Sequence, residues 1–176
     1  WAGVMELLPL SPPRPDSFPV NQARGKKGRG AVAFRGQHEH SLDSKDRLTV
    51  PRKFRAALDD GYVLAKGPDA CLWLYATKDF DEMEERYVSP HSPFGADARN
   101  LRRMINASAD EGDLDSAGRI RIPAELKKMA GIDTACAVVG AGSYIEIWDA
   151  EAWARLNEQL LDQFPQVAEN LSGGGE

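Results

Sequence analysis

The 176-residue chain has little of several features that mark large classes of proteins. It contains two cysteines, Cys71 and Cys136, so we expect no disulfide framework and predict that both are buried and reduced. No apolar run approaches the roughly 20 residues that a membrane-spanning helix needs, and we expect no membrane partner. The formal net charge is -5, which excludes a uniformly basic protein but allows a local basic patch.

Patterns typical of catalytic and metal sites are also sparse. His38 and His40 flank Glu39, but this alternate spacing equally describes the exposed face of an ordinary strand. No cysteine lies nearby and no H-x-x-x-H helix follows, and His91 stands apart in a Pro-rich loop. We therefore expect no enzyme, no cofactor, no metal site and no small-molecule substrate.

Residues 1–33 differ from the rest of the chain. The stretch "PLSPPRPDSFPVNQARGKKGRG" is rich in Pro and Gly and has no hydrophobic period. This composition is typical of a disordered segment. Two interpretations stay open: a disordered extension, or an incorrectly assigned start that places the true beginning near Val32 or Ala33.

One ten-residue pattern occurs twice. Residues 42–51 are "LDSKDRLTVP" and residues 114–123 are "LDSAGRIRIP", with five of ten positions identical. Each copy is followed by a short helical pattern that begins at a proline and stops near Gly61 or Gly131. The repetition predicts two copies of one structural unit.

The repeat predicts the organisation of the whole chain. Each unit continues into a strand, 71–75 or 144–148, and then a second helix with Thr77 or Asp149 as its N-cap. Units of this size close a core poorly alone, so we predict that they pair as an internal pseudo-dimer. The predicted parts are a first repeat over 34–87, a connecting loop and helix over 88–108, a second repeat with its C-terminal helix over 109–165, and a flexible tail over 166–176.

The repeated turn has its own chemistry. In the second copy, Asp115 bonds nearby amides, Gly118 supplies a positive φ, and Arg119 follows. The first copy has Asp46 where the second has Gly118, and Asp tolerates the left-handed region better than most residues. The Asp43–Arg47 and Asp115–Arg119 pairs fix the hairpin, orient the arginines toward a polyanion, or do both.

Charge is distributed unevenly along the chain. Six basic residues against three acidic ones lie between Arg35 and Arg55, whereas residues 143–176 hold seven acids and one base. Lys127 and Lys128 extend the basic patch beside Arg119. These charges predict a face that binds a polyanion, made of Arg47, Arg119, Lys45, Arg52, Lys53, Arg55 and Arg121, with Asp43, Asp115 and Gly118 fixing the turns.

The doubled "LDSxxRxxxP", "FRGQHEHSLDSKDRL" and "DLDSAGRIRIP" resemble the MraZ family of bacterial transcriptional regulators, within the SpoVT-AbrB superfamily. The resemblance covers roughly residues 34–164 and assigns the family motif to Asp43, Arg47, Asp115 and Arg119. It implies an α+β fold, with a mostly β core and flanking helices. In that fold the two repeats form an AbrB-like, swapped-hairpin, double-psi-type β-barrel. Asp46, in place of the family's usual Gly, and the N-terminal extension depart from the pattern.

The resemblance also implies a function. The family's members form ring-shaped homo-oligomers on double-stranded DNA, at tandem repeats upstream of the division and cell-wall gene cluster, and regulate their own operon. We therefore expect a cytoplasmic, nucleoid-associated repressor. An AbrB-like antitoxin or an oligomeric scaffold stays open as the alternative, with Trp73, Trp148 and Trp153 as candidate interface or core residues.

Overall fold

The computed structural model describes residues 33–172, so the prediction of an N-terminal extension lies outside the described residues. The elements in chain order are β1 (Phe34–Ser41), β2 (Arg47–Thr49), α1 (Arg52–Arg55), β3 (Tyr62–Lys66), β4 (Cys71–Ala76), α2 (Thr77–Tyr87), α3 (Ala96–Ser108), β5 (Asp110–Gly112), β6 (Arg119–Arg121), α4 (Ala124–Met129), β7 (Ala135–Gly142), β8 (Ile145–Asp149) and α5 (Ala150–Ser172). This is an α+β chain with mainly antiparallel strands, as the sequence predicted.

The strands follow a pseudo-twofold pattern. The larger sheet has the order β1-β7-β8-β4-β3-β5, and a separate small sheet pairs β2 with β6. The equivalent strands of the two repeats are β1 and β5, β3 and β7, and β4 and β8. Exchanging the members of each pair gives the same order read from the other edge of the sheet. The central β4–β8 pair and the β2–β6 pair therefore each join one strand from either repeat.

The first strand of each repeat pairs with a strand of the other repeat. β1 runs beside β7 along its full length, from Phe34 opposite Gly142 to Ser41 opposite Ala135. β5 pairs with β3 in the same manner, with Tyr62 opposite Gly112. This exchange of strands makes the two repeats one folding unit, as expected of an internal pseudo-dimer.

The closed barrel implied by the family resemblance is not seen in residues 33–172. The six-stranded sheet is open, with β1 and β5 at its edges, and β2 and β6 form a ribbon of their own. The turn between β1 and β2 leads the chain out of the large sheet, and the turn before β6 does the same. A closed barrel would need β2 and β6 to be hydrogen-bonded to the large sheet, and they pair only with each other.

The central core is built by both repeats. Leu48 and Ile120, which are paired across the small sheet, are 0% and 1% exposed. They pack in one cluster with Phe34, Phe54 and Leu126. Because every strand alternates inward and outward residues, burying Leu48 and Ile120 directs their neighbours to the surface.

The helices agree with the sequence predictions except at two boundaries. Asp149 is confirmed as an N-cap, since its Oδ1 accepts hydrogen bonds from the amides of Glu151 and Ala152. Thr77 is not an N-cap: Ala76 precedes α2 and Thr77 is already its first helical residue. α5 continues through Pro165 to Ser172, so the part of the predicted flexible tail that the structure describes is helical.

Cys71 and Cys136 are buried and unpaired, as predicted. Burial raises the pKa of the Cys71 thiol to about 12 and that of Cys136 to about 11, so both stay protonated near neutral pH. Within residues 33–172, no helix combines the length and the apolar character needed to cross a bilayer.

Candidate nucleic-acid interface

The two repeated turns have the same backbone geometry. In the first, the amide of Asp46 donates to the carbonyl of Asp43, and the amide of Asp43 donates to the carbonyl of Arg47. In the second, Gly118 and Asp115 make the equivalent bonds, with Arg119 as the acceptor of the second. The shared sequence thus folds into the same turn twice.

The aspartate of each turn organises the turn through its carboxylate. Asp43 Oδ1 accepts from the amides of Lys45 and Arg47, at 2.9 and 3.0 Å, and Oδ2 accepts from Arg47 Nε at 2.7 Å. Asp115 repeats this arrangement with the amides of Ala117 and Arg119, and with Arg119 Nε at 2.7 Å. One carboxylate therefore holds both the backbone of the turn and the arginine.

These contacts shift the ionisation of the pairs. The hydrogen bond from Arg47 is the main reason that the pKa of Asp43 lies well below its ordinary range. Partial burial raises the pKa of Asp115, but the side-chain and backbone hydrogen bonds from Arg119 outweigh it and the net shift is downward. The hydrogen bond to Asp43 raises the pKa of Arg47. Both carboxylates are therefore ionised at neutral pH.

The residue before each arginine adopts a positive φ. The φ angle is 53° at Asp46 and 74° at Gly118. Asp46 is the one non-glycine residue with a positive φ in the described chain. The prediction that the first turn survives the replacement of Gly by Asp is confirmed.

The small sheet turns three arginines outward. Arg47 lies opposite Arg121, and Thr49 lies opposite Arg119, while the intervening Leu48–Ile120 pair faces the core. Residues opposite each other in an antiparallel pair point to the same face. Arg47, Arg119 and Arg121 therefore share the outer face of a two-stranded ribbon, to which both repeats contribute.

The two motifs also contact each other. Arg119 Nη1 lies 3.7 Å from Asp43 Oδ2, across the ribbon from its own Asp115. The side chains of Arg47, Arg119 and Asp43 are each about one-third exposed, at 30%, 29% and 33%. The four motif residues thus form one partly exposed cluster, whose charges are balanced and whose guanidinium groups are held in place.

Each short helix covers the turn of the other repeat. In α1, Arg55 lies so close to Gly118 that a Cβ there would be 2.4 Å from its Nε, and that Nε donates to the carbonyl of Val50. In α4, Lys127 Nζ lies 2.7 Å from Asp46 Oδ1. Lys127 therefore belongs to the first turn, which corrects the sequence-based placement beside Arg119.

The remaining predicted residues surround the ribbon on exposed positions. Lys45 lies in the first turn, and Arg52 and Arg121 extend into solvent. Lys53 is exposed, but its Nζ donates to the carbonyl of Arg35 at 2.7 Å and lies 4.9 Å from the ring centre of Phe54. Lys127 was missing from the predicted site. It occupies the position in the second repeat that Arg55 occupies in the first, and this equivalence is the signal that would have found it.

The histidines of β1 lie beside each other and beside an aromatic ring. His38 packs edge-on against Phe54 at 5.7 Å between ring centres, and the His40 ring is 6.4 Å from that of His38. Burial, and then the nearby His38, lower the pKa of His40. No cluster of three or more His, Cys, Asp or Glu suited to a metal occurs within residues 33–172.

Comparisons with known proteins assign the family. A family model described as "MraZ protein, putative antitoxin-like" matches the chain twice, over residues 33–104 and 105–172. A protein of Desulforamulus reducens named "Transcriptional regulator MraZ" is 40% identical over 139 residues, covering 78% of this chain and 96% of that protein. This chain belongs to the MraZ family.

Two further relatives carry the same name. The MraZ proteins of Heliobacterium modesticaldum and Mycoplasmoides gallisepticum are each 36% identical to this chain over 139 and 138 residues, and in both cases the match covers 78% of this chain and 96% of the relative. The two family-model matches meet between residues 104 and 105, inside α3. The MraZ unit is thus present twice in this chain, as the repeated motif predicted.

Proposed function

We propose that this chain is a sequence-specific DNA-binding transcriptional regulator. The observation that carries the proposal is the β2–β6 ribbon, which places Arg47, Arg119 and Arg121 on one outer face. A two-stranded ribbon fits the major groove of B-DNA, where arginine pairs with guanine through two hydrogen bonds. The names of the relatives, which are transcriptional regulators, support the same function.

The ion pairs prepare the arginines for this role. Asp43 and Asp115 hold Arg47 and Arg119 through their Nε atoms, at 2.7 Å in each pair. An arginine that is already oriented loses less side-chain entropy when it binds a base or phosphate. Lys45, Arg52, Lys53 and Arg55 supply the surrounding phosphate contacts, and Asp43, Asp115 and Gly118 fix the shape of the turns.

The proposed target is the one that the family resemblance implies. The proposed DNA site is a set of tandem repeats upstream of the chain's own operon, in the division and cell-wall gene cluster, where the protein acts as an autoregulatory repressor in the cytoplasm at the nucleoid. A ring of identical chains would place several ribbons on successive repeats, and the increase in effective concentration would offset the weakness of each contact. No catalytic step is part of the proposal.

A gel-shift titration on the DNA upstream of the gene tests the proposal. Arg47→Ala combined with Arg119→Ala should lower specific affinity by roughly 100-fold or more, since each well-placed arginine contributes about 1–3 kcal/mol. Light scattering should give the same mass for the variant and the wild type. Arg99→Ala with Arg103→Ala, which removes two arginines from α3, is the matched control. Unchanged binding by the Arg47 and Arg119 variant would refute the ribbon as the DNA-binding face.

The alternative function is an antitoxin or interaction scaffold, which the antitoxin-like description of the family favours. In that case a toxin gene should lie beside this one, and the ribbon variant should leave the main activity intact. Methyltransferase and cell-wall genes as neighbours, with loss of regulation in the ribbon variant, support the DNA-binding regulator instead.

A further inference from the structure

A groove of about 1270 Å³ lies between the large sheet and the helices α2 and α3. Trp73 and Tyr144 line it from the sheet, and Met104 lines it from α3. Met104 is 69% exposed, so the groove is open to solvent. The volume exceeds the roughly 300–1,000 Å³ of a typical small-molecule pocket, and an open groove of this size suits an extended ligand that lies along it.

The sheet side of the groove is aromatic. The ring centre of Tyr144 lies 4.9 Å from that of Trp73 and 5.0 Å from that of Tyr75, with which it stacks at 23° between the ring planes. Tyr75 is buried, whereas Trp73 and Tyr144 are half-buried and contribute most of the aromatic surface that a ligand can reach. Tryptophan and tyrosine rings attract organic cations and pack against their apolar parts.

The α2 side of the groove is acidic. Three carboxylates of this helix line it, from Asp79, Glu82 and Glu85. They follow the spacing i, i+3 and i+6, so the Cβ atoms of neighbouring members of this row lie about 5–6 Å apart. The helix macrodipole favours an acid in the first turn, such as Asp79, but it does not account for Glu82 or Glu85.

Two cations also line the groove, and both contact other parts of the chain. Lys66 Nζ donates hydrogen bonds to the carbonyls of Gly67 and Cys71, at 2.6 and 3.5 Å. The guanidinium carbon of Arg86 lies 5.8 Å from the ring centre of Tyr87. Within residues 33–172, neither cation forms an ion pair with a carboxylate of the row. The row is therefore available to a cation from outside the chain.

Asp79 has the most to gain from such a cation. It is half-buried, whereas Glu82 and Glu85 are exposed, and its carboxylate has no hydrogen-bond or ion-pair partner in the described part of the chain. Lys78 lies 3.7 Å from Glu82 instead. Burial, and then the nearby Glu82, raise the pKa of Asp79. An ammonium group beside this carboxylate would offset both unfavourable influences.

The second repeat keeps the packing of this region but not its carboxylates. α2 and α5 pack on the sheet through equivalent apolar residues. These are Phe80 with Trp153 and Met83 with Leu156, each pair 73 positions apart. At the same offset, Asp79 and Glu82 correspond to Ala152 and Arg155. A helix can therefore pack on this face without the acids, and the acidic row has a role other than packing.

We propose that this groove binds a linear polyamine, a chain of methylene groups interrupted by ammonium groups. The ammonium groups pair with Asp79, Glu82 and Glu85, because short methylene chains hold them at about the spacing of the row. The methylene groups pack on Trp73 and Tyr144. The groove contains no residue of the β2–β6 ribbon, so the inference goes beyond DNA binding and does not depend on it.

Calorimetric titration of the full chain with spermidine tests this site. DNA is left out, because polyamines also bind its phosphates. Asp79→Asn with Glu82→Gln should weaken spermidine binding roughly tenfold, since it removes two carboxylates of the row. Asp81→Asn with Glu84→Gln is the matched control, because it removes the same charge from α2 at positions that do not line the groove. The control should bind like the wild type, and circular dichroism and light scattering should match for all three proteins.

The chain's own basic residues are one competing occupant. Ala33 lines the groove, and Lys26, Lys27 and Arg29 precede it in the sequence. Replacing these three residues with glutamine should leave spermidine affinity unchanged. A rise in affinity as large as the loss in the groove variant would assign the groove to this segment and overturn the proposal.

Three further results would also overturn the polyamine site. The first is a wild-type chain that does not bind spermidine. The second is an equal loss of affinity in the groove variant and its control, which would indicate general attraction to an acidic chain. The third is a lysine-rich peptide that displaces spermidine, binds more tightly and is weakened by the groove variant, which would assign the groove to a basic protein segment.

Discussion

The turn that begins at Asp43 and the turn that begins at Asp115 share every backbone bond described above, but their surroundings differ. In the first, Asp46 occupies the left-handed position and pairs with Lys127. In the second, Gly118 occupies that position and Arg55 fills the space where a side chain would be. The residue in the turn and the residue that covers it are thus matched in size and charge.

This comparison shows what the aspartate and arginine of the motif do by themselves. They hold the same turn whether the left-handed residue is glycine or aspartate, because Asp43 and Asp115 each bond two amides and one guanidinium. The covering residue then sets the local charge. The first turn adds a neutral Asp46–Lys127 pair, whereas the second adds the cation of Arg55.

The largest change in stability is expected when Gly118 of the second turn is replaced by aspartate, the residue at the equivalent position of the first turn. Gly118→Asp should destabilise the protein by about 1–2 kcal/mol, because φ is 74° and a Cβ would lie 2.4 Å from Arg55 Nε. Adding Arg55→Lys should recover most of this loss by recreating the Asp46–Lys127 arrangement. Urea unfolding of both variants measures the change.

The reverse exchange is the control. Asp46→Gly relieves the left-handed strain but removes the ion pair with Lys127 and adds freedom to the unfolded chain, and these effects are each within about 1 kcal/mol. Its stability should therefore stay near that of the wild type. If the Gly118→Asp variant is as stable as the Asp46→Gly variant, the match between each turn residue and the residue that covers it does not contribute to stability.

The next effect concerns DNA affinity. Arg119→Ala should weaken operator binding about tenfold, which is within the 1–3 kcal/mol expected of a base-reading arginine. Arg47→Ala should have a smaller effect, because the Asp46–Lys127 pair adds no net charge to its turn, whereas Arg55 places an additional cation near Arg119. Titration at two salt concentrations measures both, since phosphate contacts depend on salt. Equal losses would show that the two turns read DNA alike.

The sequence predicted the parts of this site that depend on local chemistry. Asp, Arg and a left-handed residue at fixed spacing are enough to predict a turn and its internal ion pair. It did not predict that Lys127 covers Asp46, because that contact spans 81 residues and depends on the exchange of strands between repeats. The barrel was also expected from family likeness, and strand order is a property of long-range pairing that no local pattern encodes.

The end of α5 was missed for a different reason. The predicted C-terminal helix ends at residue 165, and Pro165 lacks the amide that a helix interior uses. The apolar spacing nevertheless continues through Val167 and Leu171, and this periodicity was the better guide to the helix boundary.

The smallest expected effect is a change in how the stability of the protein declines at acidic pH. The pKa of Asp43 and that of Asp115 are both lowered in the folded chain, so each pair stabilises the protein above the ordinary carboxyl range near pH 4 and loses that contribution as the pH falls. The hydrogen bond from Arg47 is the leading influence on Asp43, whereas burial opposes the shift most strongly at Asp115. Asp43→Asn should therefore flatten the decline of stability below pH 4 more than Asp115→Asn does. Urea unfolding across pH 3–6 measures this difference, and identical acid profiles for the two variants would mean that the first pair is no stronger than the second.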